Sequence, residues 1–232
     1  MKTGNKLYNI DVVVTTNGRT EIFKKALENW NKTLIFNQIR EVIISNDCPQ
    51  KPLDLDFFNN FYKQSQVRIF NHEENLGFAK NIDFAWKQVE RSADFILHLE
   101  DDFIFNGRPP IEQMVDVLVA NPSLAQMVLK RQPWSQEEKD AGGYDILHGF
   151  VNAQADHATR RGNSRYMLHN KFFSSNPSLI PRSVFSRGWR GTEEDMTRHL
   201  LEHGFVFGCW GLKGDAPDVH HIGDYRAENW SL

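Results

Sequence analysis

A chain of 232 residues with 40% hydrophobic and 25% charged side chains has apolar surface enough for one sizeable core. That mixture excludes a disordered, fibrous or collagen-like protein, and a net charge of −3 favours no partner. Two cysteines, Cys48 and Cys209, are too few for a disulfide framework, so a reduced, cytoplasmic setting is expected. No run approaches about 18 apolar residues, so no integral membrane segment is expected. The opening run, broken by Asn9 and Asp11, reads as a first strand rather than a signal peptide.

Ile10 to Thr16 is β-branched and reads as a buried parallel strand. Thr20 to Trp30 places Ile22, Phe23, Ala26, Leu27 and Trp30 at helical spacing, with Thr20 as the expected N-cap. Glu41 to Asn46 is a second strand, Leu55 to Tyr62 a short aromatic-rich helix, and Val67 to Asn71 a third strand. Gly77 to Arg91 is an amphipathic helix with Phe78, Ile82, Ala85, Trp86 and Val89 on one side. Asp94 to Leu99 is a fourth strand. This alternation predicts an α/β fold with a mostly parallel sheet and right-handed crossovers.

Past Asp102 the regularity falls away. Pro109 to Ala120 is a helix opened by two prolines, and Leu124 to Leu129 a strand. Lys130 to Lys171 has no readable element; irregular stretches of that length usually serve function or form a lid. Ser174 to Ile180 is a strand, Thr192 to His203 a helix, and Phe205 to Cys209 a strand.

Open parallel sheets bind ligands at the carboxyl ends of their strands, and the unusual polar residues fall at those ends. Strand one ends in Thr15-Thr16-Asn17-Gly18-Arg19, strand two in Ser45-Asn46-Asp47, strand four in Glu100-Asp101-Asp102. Strand three leads into Asn75-Leu76-Gly77, with Lys80 one turn into the next helix. Three adjacent carboxylates repel one another unless water or a cation screens them. A divalent cation with oxygen ligands would do so, and would also hold a phosphate-bearing substrate. The plainer alternatives are a solvated acidic turn, strand-end hydroxyls bonded to backbone, Asp47 as a cap and Lys80 as a surface lysine. Neither GxxxxGK[ST] nor a GxGxxG after the first strand is present, which excludes a P-loop and a dinucleotide fingerprint.

Between His157 and Thr192 there is no acid, but there are Arg160, Arg161, Arg165, Lys171, Arg182, Arg187 and Arg190. Such a window could grip nucleic-acid phosphates. His148, His157 and His169 lack zinc-site spacing and read as ordinary histidines. Trp134, Trp189 and Trp210 could stack on a sugar or base, although packing is the commoner fate of tryptophan.

Several segments, in order, resemble the GT-A glycosyltransferases of the family-2 type. DVVVTTNGR resembles that family's opening strand and nucleotide-contacting turn, carrying Thr15, Thr16, Asn17 and Arg19. ISND is similar to its second strand, ending in a base-binding acid at Asp47, and NLGFAKN to a donor segment carrying Asn75, Gly77 and Lys80. HLEDD is similar to its DxD-type metal motif, NPSLIPRSVF to an acceptor-side strand, GTEEDMTRHLLEHG to its ED motif, and VHHIGDYR to a late metal-ligand histidine. EDD is not a literal DxD, and Lys80 stands near where relatives carry Arg, keeping charge without the bidentate fork.

The resemblance implies one GT-A domain over 1–232, with a nucleotide-sugar half (1–102) and an irregular acceptor half (103–232). It implies transfer of a sugar from a UDP- or GDP-type donor to an acceptor hydroxyl, with Mn²⁺ or Mg²⁺ offsetting the charge of the leaving diphosphate. Asp102 and then Glu100 are the expected carboxylate ligands, His221 or His220 the imidazole ligand, and Asp101 a donor contact. Asp195, with Glu194 beside it, is the expected base, which implies inversion; helix capping is the alternative for these acids. The acceptor is a saccharide or, from the basic window, a hydroxylated base in DNA. A nucleotidyltransferase acting on a sugar phosphate is the alternative enzyme, but TTNGRTEIF does not match its Gly-rich loop. A catalytically silent nucleotide-sugar-binding module is the alternative outside catalysis.

Overall fold

The computed structural model describes residues 7–34, 39–54, 56–58, 66–132, 153–159, 162–212 and 215–223. The alternating half consists of β1 (Ile10–Thr16), α1 (Thr20–Thr33), β2 (Ile39–Asn46), a 3-10 turn (Asp56–Phe58), β3 (Gln66–Asn71), α2 (Phe78–Lys87) and β4 (Phe95–Glu100). There follow β5 (Phe103–Phe105), α3 (Ile111–Ala120), β6 (Leu124–Val128), β7 (Arg131–Gln132), β8 (Ala153–Thr159) and β9 (Gly162–His169). The described chain closes with β10 (Ser178–Pro181), α4 (Arg182–Phe185), α5 (Glu193–Glu202), β11 (Val206–Trp210) and β12 (Val219–His221).

Among the described residues nine strands form the main sheet, in the order β3-β2-β1-β4-β10-β6-β11-β9-β8. Only β9 and β10 run against the others, so the sheet is mostly parallel, as the alternation predicts. β1 and β2 are near-continuous apolar runs because both their faces are covered. On one face Val12, Val14, Ile44 and Leu97 pack against Phe23, Leu27 and Trp30 of α1 and Met114 and Leu118 of α3. On the other, Val13, Ile43 and Ile96 pack against Ile82 and Trp86 of α2, Phe185 of α4 and Met196 and Leu200 of α5.

Three expectations need correction. Thr20 is the first residue of α1 rather than its cap; the N-cap is Arg19, whose side chain makes no capping bond. The helix expected to run to Arg91 ends at Lys87. The stretch expected to lack elements holds β7 and the β8–β9 hairpin, which extends the sheet. The polar run AQADHAT gave no apolar alternation by which to read a strand. Of the helix expected over Leu55 to Tyr62, the 3-10 turn is described and the rest lies outside the described residues, as do His148, Trp134, Arg160 and Arg161.

A second sheet, β5-β12-β7, ties residues 219–221 to the segment that follows β4. Helix α1 fixes β5: Trp30 Nε1 donates to the Phe103 carbonyl at 2.7 Å, and the Asn29 amide exchanges hydrogen bonds with the Phe105 backbone at 2.9 and 2.7 Å. β12 pairs antiparallel with β5, setting His221 opposite Phe103. Lys130, just before β7, anchors the approach to β12: its buried ammonium donates to the carbonyls of Leu212 (2.9 Å) and Asp215.

The amino edge of the main sheet carries ion pairs. Arg40 donates to both oxygens of the fully buried Asp11, at 2.9 and 2.5 Å, and to Glu90 at 2.5 Å. Arg68 grips both oxygens of Glu41, at 2.5 and 2.8 Å.

Candidate active site

At the carboxyl edge, β4 delivers Glu100, Asp101 and Asp102, whose side chains part company at once. Asp101 is fully buried and lies toward β1: Thr16 Oγ1 donates to its Oδ2 at 2.5 Å and Arg19 Nη2 to its Oδ1. Asp102, 2% exposed, accepts Arg19 Nη1 at 2.6 Å and faces His221 Nε2 at 2.9 Å, both on Oδ2. Its other oxygen, Oδ1, is buried without a hydrogen-bond partner. The Ile222 amide donates to the Asp102 carbonyl at 2.8 Å, and a Cβ at Gly223 would overlap the Asp102 carboxylate. Only glycine lets the chain leave β12 so close to Asp102.

His221 stacks on Phe103, with ring centroids 4.8 Å apart. His220, the adjacent candidate, is exposed, because neighbouring residues of a strand point to opposite faces. The contact between Asp102 and His221 spans 119 positions and arises from the β5–β12 pairing. Despite burial, His221 and Arg19 together hold the Asp102 carboxyl below its ordinary range, through the His221 hydrogen bond and the guanidinium charge.

Glu100 turns toward the other side of the sheet. Its side chain hydrogen-bonds Ser175, and the Ser175 amide donates to Glu193 Oε1 at 2.5 Å. Burial, with Asp102 and Glu193 nearby, pushes Glu100 up to about 8. Burial likewise pushes Asp101 up to about 6. Arg131 of β7 feels the charges of Glu100, Glu193 and Asp102. Ser175, Arg131 and Glu193 are therefore site residues absent from the set expected from sequence.

Helix α5 begins with three acids that have different surroundings. Asp195 closes a capping box with Thr192: the Thr192 amide donates to Asp195 Oδ2 at 3.0 Å and the Asp195 amide to Thr192 Oγ1 at 3.2 Å. Arg198 takes its other oxygen at 2.9 Å. Those bonds hold the Asp195 carboxyl below its usual range. Glu194 is exposed. Glu193 is the acid of this helix that meets the β4 cluster. The T-x-x-D spacing that marks the cap was present in the sequence; Arg131 and Ser175 carried no comparable signal.

The donor-side candidates are placed as follows. Asp47 is fully buried; its two oxygens accept the Leu76 amide (2.6 Å) and the Gly77 amide (2.9 Å). Asn75 Nδ2 donates to the Asp47 carbonyl at 2.9 Å, and Gly77 takes φ +79°, which favours glycine. Asp47 thus braces the Asn75–Gly77 turn. Thr15 lies in register between Ser45 and Glu100, its hydroxyl buried without a partner. Asn17 is half-buried, and Lys80 is exposed on the first turn of α2.

Two arginines of the basic window lie away from this cluster. Arg182 donates to the Ala93 carbonyl, before the start of β4, and Arg187 lies 5.4 Å over the Phe205 ring, before the start of β11. Both belong to the opposite edge of the sheet. Trp189 is 5% exposed, packed among Phe78, Trp86 and Phe173. His169 is buried against Phe172 and Phe207, and burial pushes it down to about 4.

Among the described residues no three His, Cys, Asp or Glu side chains form a closed metal cage. The donor set still suits a hard divalent cation: a carboxylate with an unpartnered buried oxygen, an imidazole nitrogen beside it, and surplus negative charge. Ions such as Mg²⁺ are commonly held by one or two protein groups plus substrate phosphates.

Comparison with known proteins agrees with this architecture. The family model described as glycosyl transferase family 2 matches residues 10–189. No curated protein sequence matches the chain. The mannosyltransferase PcManGT from Pyrobaculum calidifontis, solved with GDP-Man and Mn²⁺, is similar at a TM-score of 0.63 and 13% identity over 97% of this chain and 59% of that one. GalNAc-T7 with UDP, GalNAc and Mn²⁺ is similar at 0.66 and 13%, over 97% and 45%. TarS 1–349 of S. aureus with UDP-GlcNAc is similar at 0.61 and 12%, over 94% and 60%. The chain therefore spans between 45% and 60% of the length of these structures. At such identities the likeness is one of fold. Among the described residues no helix is long and apolar enough to cross a membrane.

Proposed function

The chain belongs to glycosyl transferase family 2, and on that premise we propose that it moves a sugar from a nucleoside diphosphate donor, of UDP or GDP type, to an acceptor hydroxyl with inversion. The observation that carries the reading is the meeting of Asp102 and His221 at 2.9 Å beside the unpartnered Asp102 Oδ1. Asp102 and His221 would hold a divalent cation, with Glu100 nearby; the mixed carboxylate and imidazole set suits Mn²⁺ better than Mg²⁺. Bound there, the ion would supply Lewis-acid charge against the leaving diphosphate. His220, on the outer face of β12, plays no part at that centre.

Asp101 acts by position. Gripped by Thr16 and Arg19, it fixes the turn from which Asp102 projects. Asp47 acts through the turn it braces, leaving Asn75, Gly77, Thr15 and Asn17 to line the donor side.

The acceptor hydroxyl must lose a proton as the new bond forms, and a carboxylate beside the donor can take it. Glu193 suits this role better than Asp195 or Glu194. Ser175 holds one of its oxygens and leaves the other for the acceptor. Asp195 already accepts from Thr192 and Arg198. A saccharide acceptor is favoured over DNA, because Arg182 and Arg187 sit at the far edge of the sheet.

The test is hydrolysis of UDP- and GDP-sugars by the purified protein, with Mn²⁺ and with chelator. Slow, metal-dependent release of UDP or GDP is expected. Tight nucleotide binding without any release would mark a silent binding module instead.

A further inference from the structure

Granted the divalent cation of the proposed reaction, we infer that Arg19 is a built-in rival of that cation, occupying the acid pair until the donor's diphosphate draws it away. Arg19 is the N-cap residue of α1, where Ser, Thr, Asp or Asn ordinarily satisfies the helix's first amides. Here the cap bond is forgone, and the side chain folds back across the edge of the sheet to bridge two carboxylates. One oxygen, Asp102 Oδ2, takes both Arg19 Nη1 and His221 Nε2. A doubly charged ion held by Asp102 and His221 would lie beside a guanidinium on the same carboxylate, and the two cations would repel.

The guanidinium is also poorly satisfied where it sits. Its Nε is buried without a partner, a cost that a carboxylate bridge through Nη1 and Nη2 does not relieve. A diphosphate offers several acceptor oxygens in the planar, bidentate geometry that arginine prefers. Metal and donor would thus enter together: Asp102 would be left to the ion, and Arg19 would exchange that carboxylate for phosphate. Metal alone must displace Arg19 with nothing to receive it.

The test measures Mn²⁺ binding directly, from the loss of the free-ion electron paramagnetic resonance signal, in wild type and Arg19→Met, without nucleotide and with UDP or GDP. Arg19→Met is expected to bind Mn²⁺ alone at least about tenfold more tightly than wild type. It should bind the diphosphate in the presence of Mn²⁺ about tenfold more weakly. Arg19→Lys keeps the charge but cannot bridge both acids, and should fall between the two; it carries the test if the methionine variant fails to fold. Equal Mn²⁺ affinity in wild type and variant would overturn the inference. So would tighter Mn²⁺ binding with undiminished diphosphate affinity, which would make Arg19 a clamp only. No Mn²⁺ binding by either protein, with or without diphosphate, would instead overturn the metal reading on which the inference stands.

Discussion

At the amino edge of the sheet Arg40 and Arg68 clasp Asp11 and Glu41; at the carboxyl edge, roughly 20 Å along the strands, Arg19 clasps Asp101 and Asp102. The chemistry is the same at both edges, guanidinium forks on buried carboxylates. The accounting of charge differs. At the amino edge each buried acid has its own arginine, and every carboxylate oxygen of Asp11 and Glu41 accepts a bond. At the carboxyl edge Glu100, Asp101, Asp102 and Glu193 gather around Arg19 and Arg131, and Asp102 Oδ1 is left unmatched. A balanced, saturated cluster stabilises the fold. An unbalanced one is held in place by the rest of the fold and has binding capacity to spare.

Substitutions can separate the two kinds of edge. The largest expected effect is at Asp102: Asp102→Asn should lower transfer about a thousandfold and abolish its response to Mn²⁺. Its melting temperature should stay near that of the wild type; a variant that still answers to metal would end the distinction between the edges. Next is Glu193→Gln, expected to cost about a thousandfold in kcat with donor KM little changed. Asp195→Asn should instead keep the helix cap, losing only the Arg198 ion pair, with a small drop in melting temperature and less than about a tenfold change in kcat. The reverse pattern would return the base to Asp195.

The amino edge should behave in the opposite way. Arg40→Ala leaves Asp11 buried and unpaired, and should cost about 3 kcal/mol in denaturant unfolding. Its kcat/KM should be unchanged. Loss of turnover at intact stability would break the comparison from this side.

The effect least tied to either edge concerns His98, on β4 between the two. It is fully buried, and burial pushes it down to about 4 from an ordinary value near 6.5. The unfolded chain therefore takes the proton first. The stability His98 provides is complete above pH ~6.5 and is lost as pH falls toward 4, up to roughly 3 kcal/mol. Melting temperature followed over that range should fall less steeply in His98→Gln than in wild type; parallel slopes would assign the acid loss elsewhere.

Much of this was legible in the sequence, and the reasons are local. Ile10–Thr16 reads as a strand because both its faces are buried and every residue but Asp11 is β-branched. Helices α1 and α2 repeat apolar residues at the helical period. The Thr192–Asp195 spacing announces a helix cap, and the two residues form one. By contrast, β5, β7 and β12 have two or three residues each, too short for any period to register. They are nonetheless the strands that carry His221 to Asp102.

The sequence by itself therefore determined the parallel half of the sheet, the family resemblance and the acids at the end of β4, because each is written in neighbouring residues. Only the tertiary structure decided which of the two histidines meets Asp102, that Glu193 rather than Asp195 faces the acids, and that Arg19 turns inward across two carboxylates. Those choices depend on which side of a strand or helix a side chain leaves. They depend also on contacts between residues 82 to 119 positions apart, where burial and charge balance act through space and not along the chain.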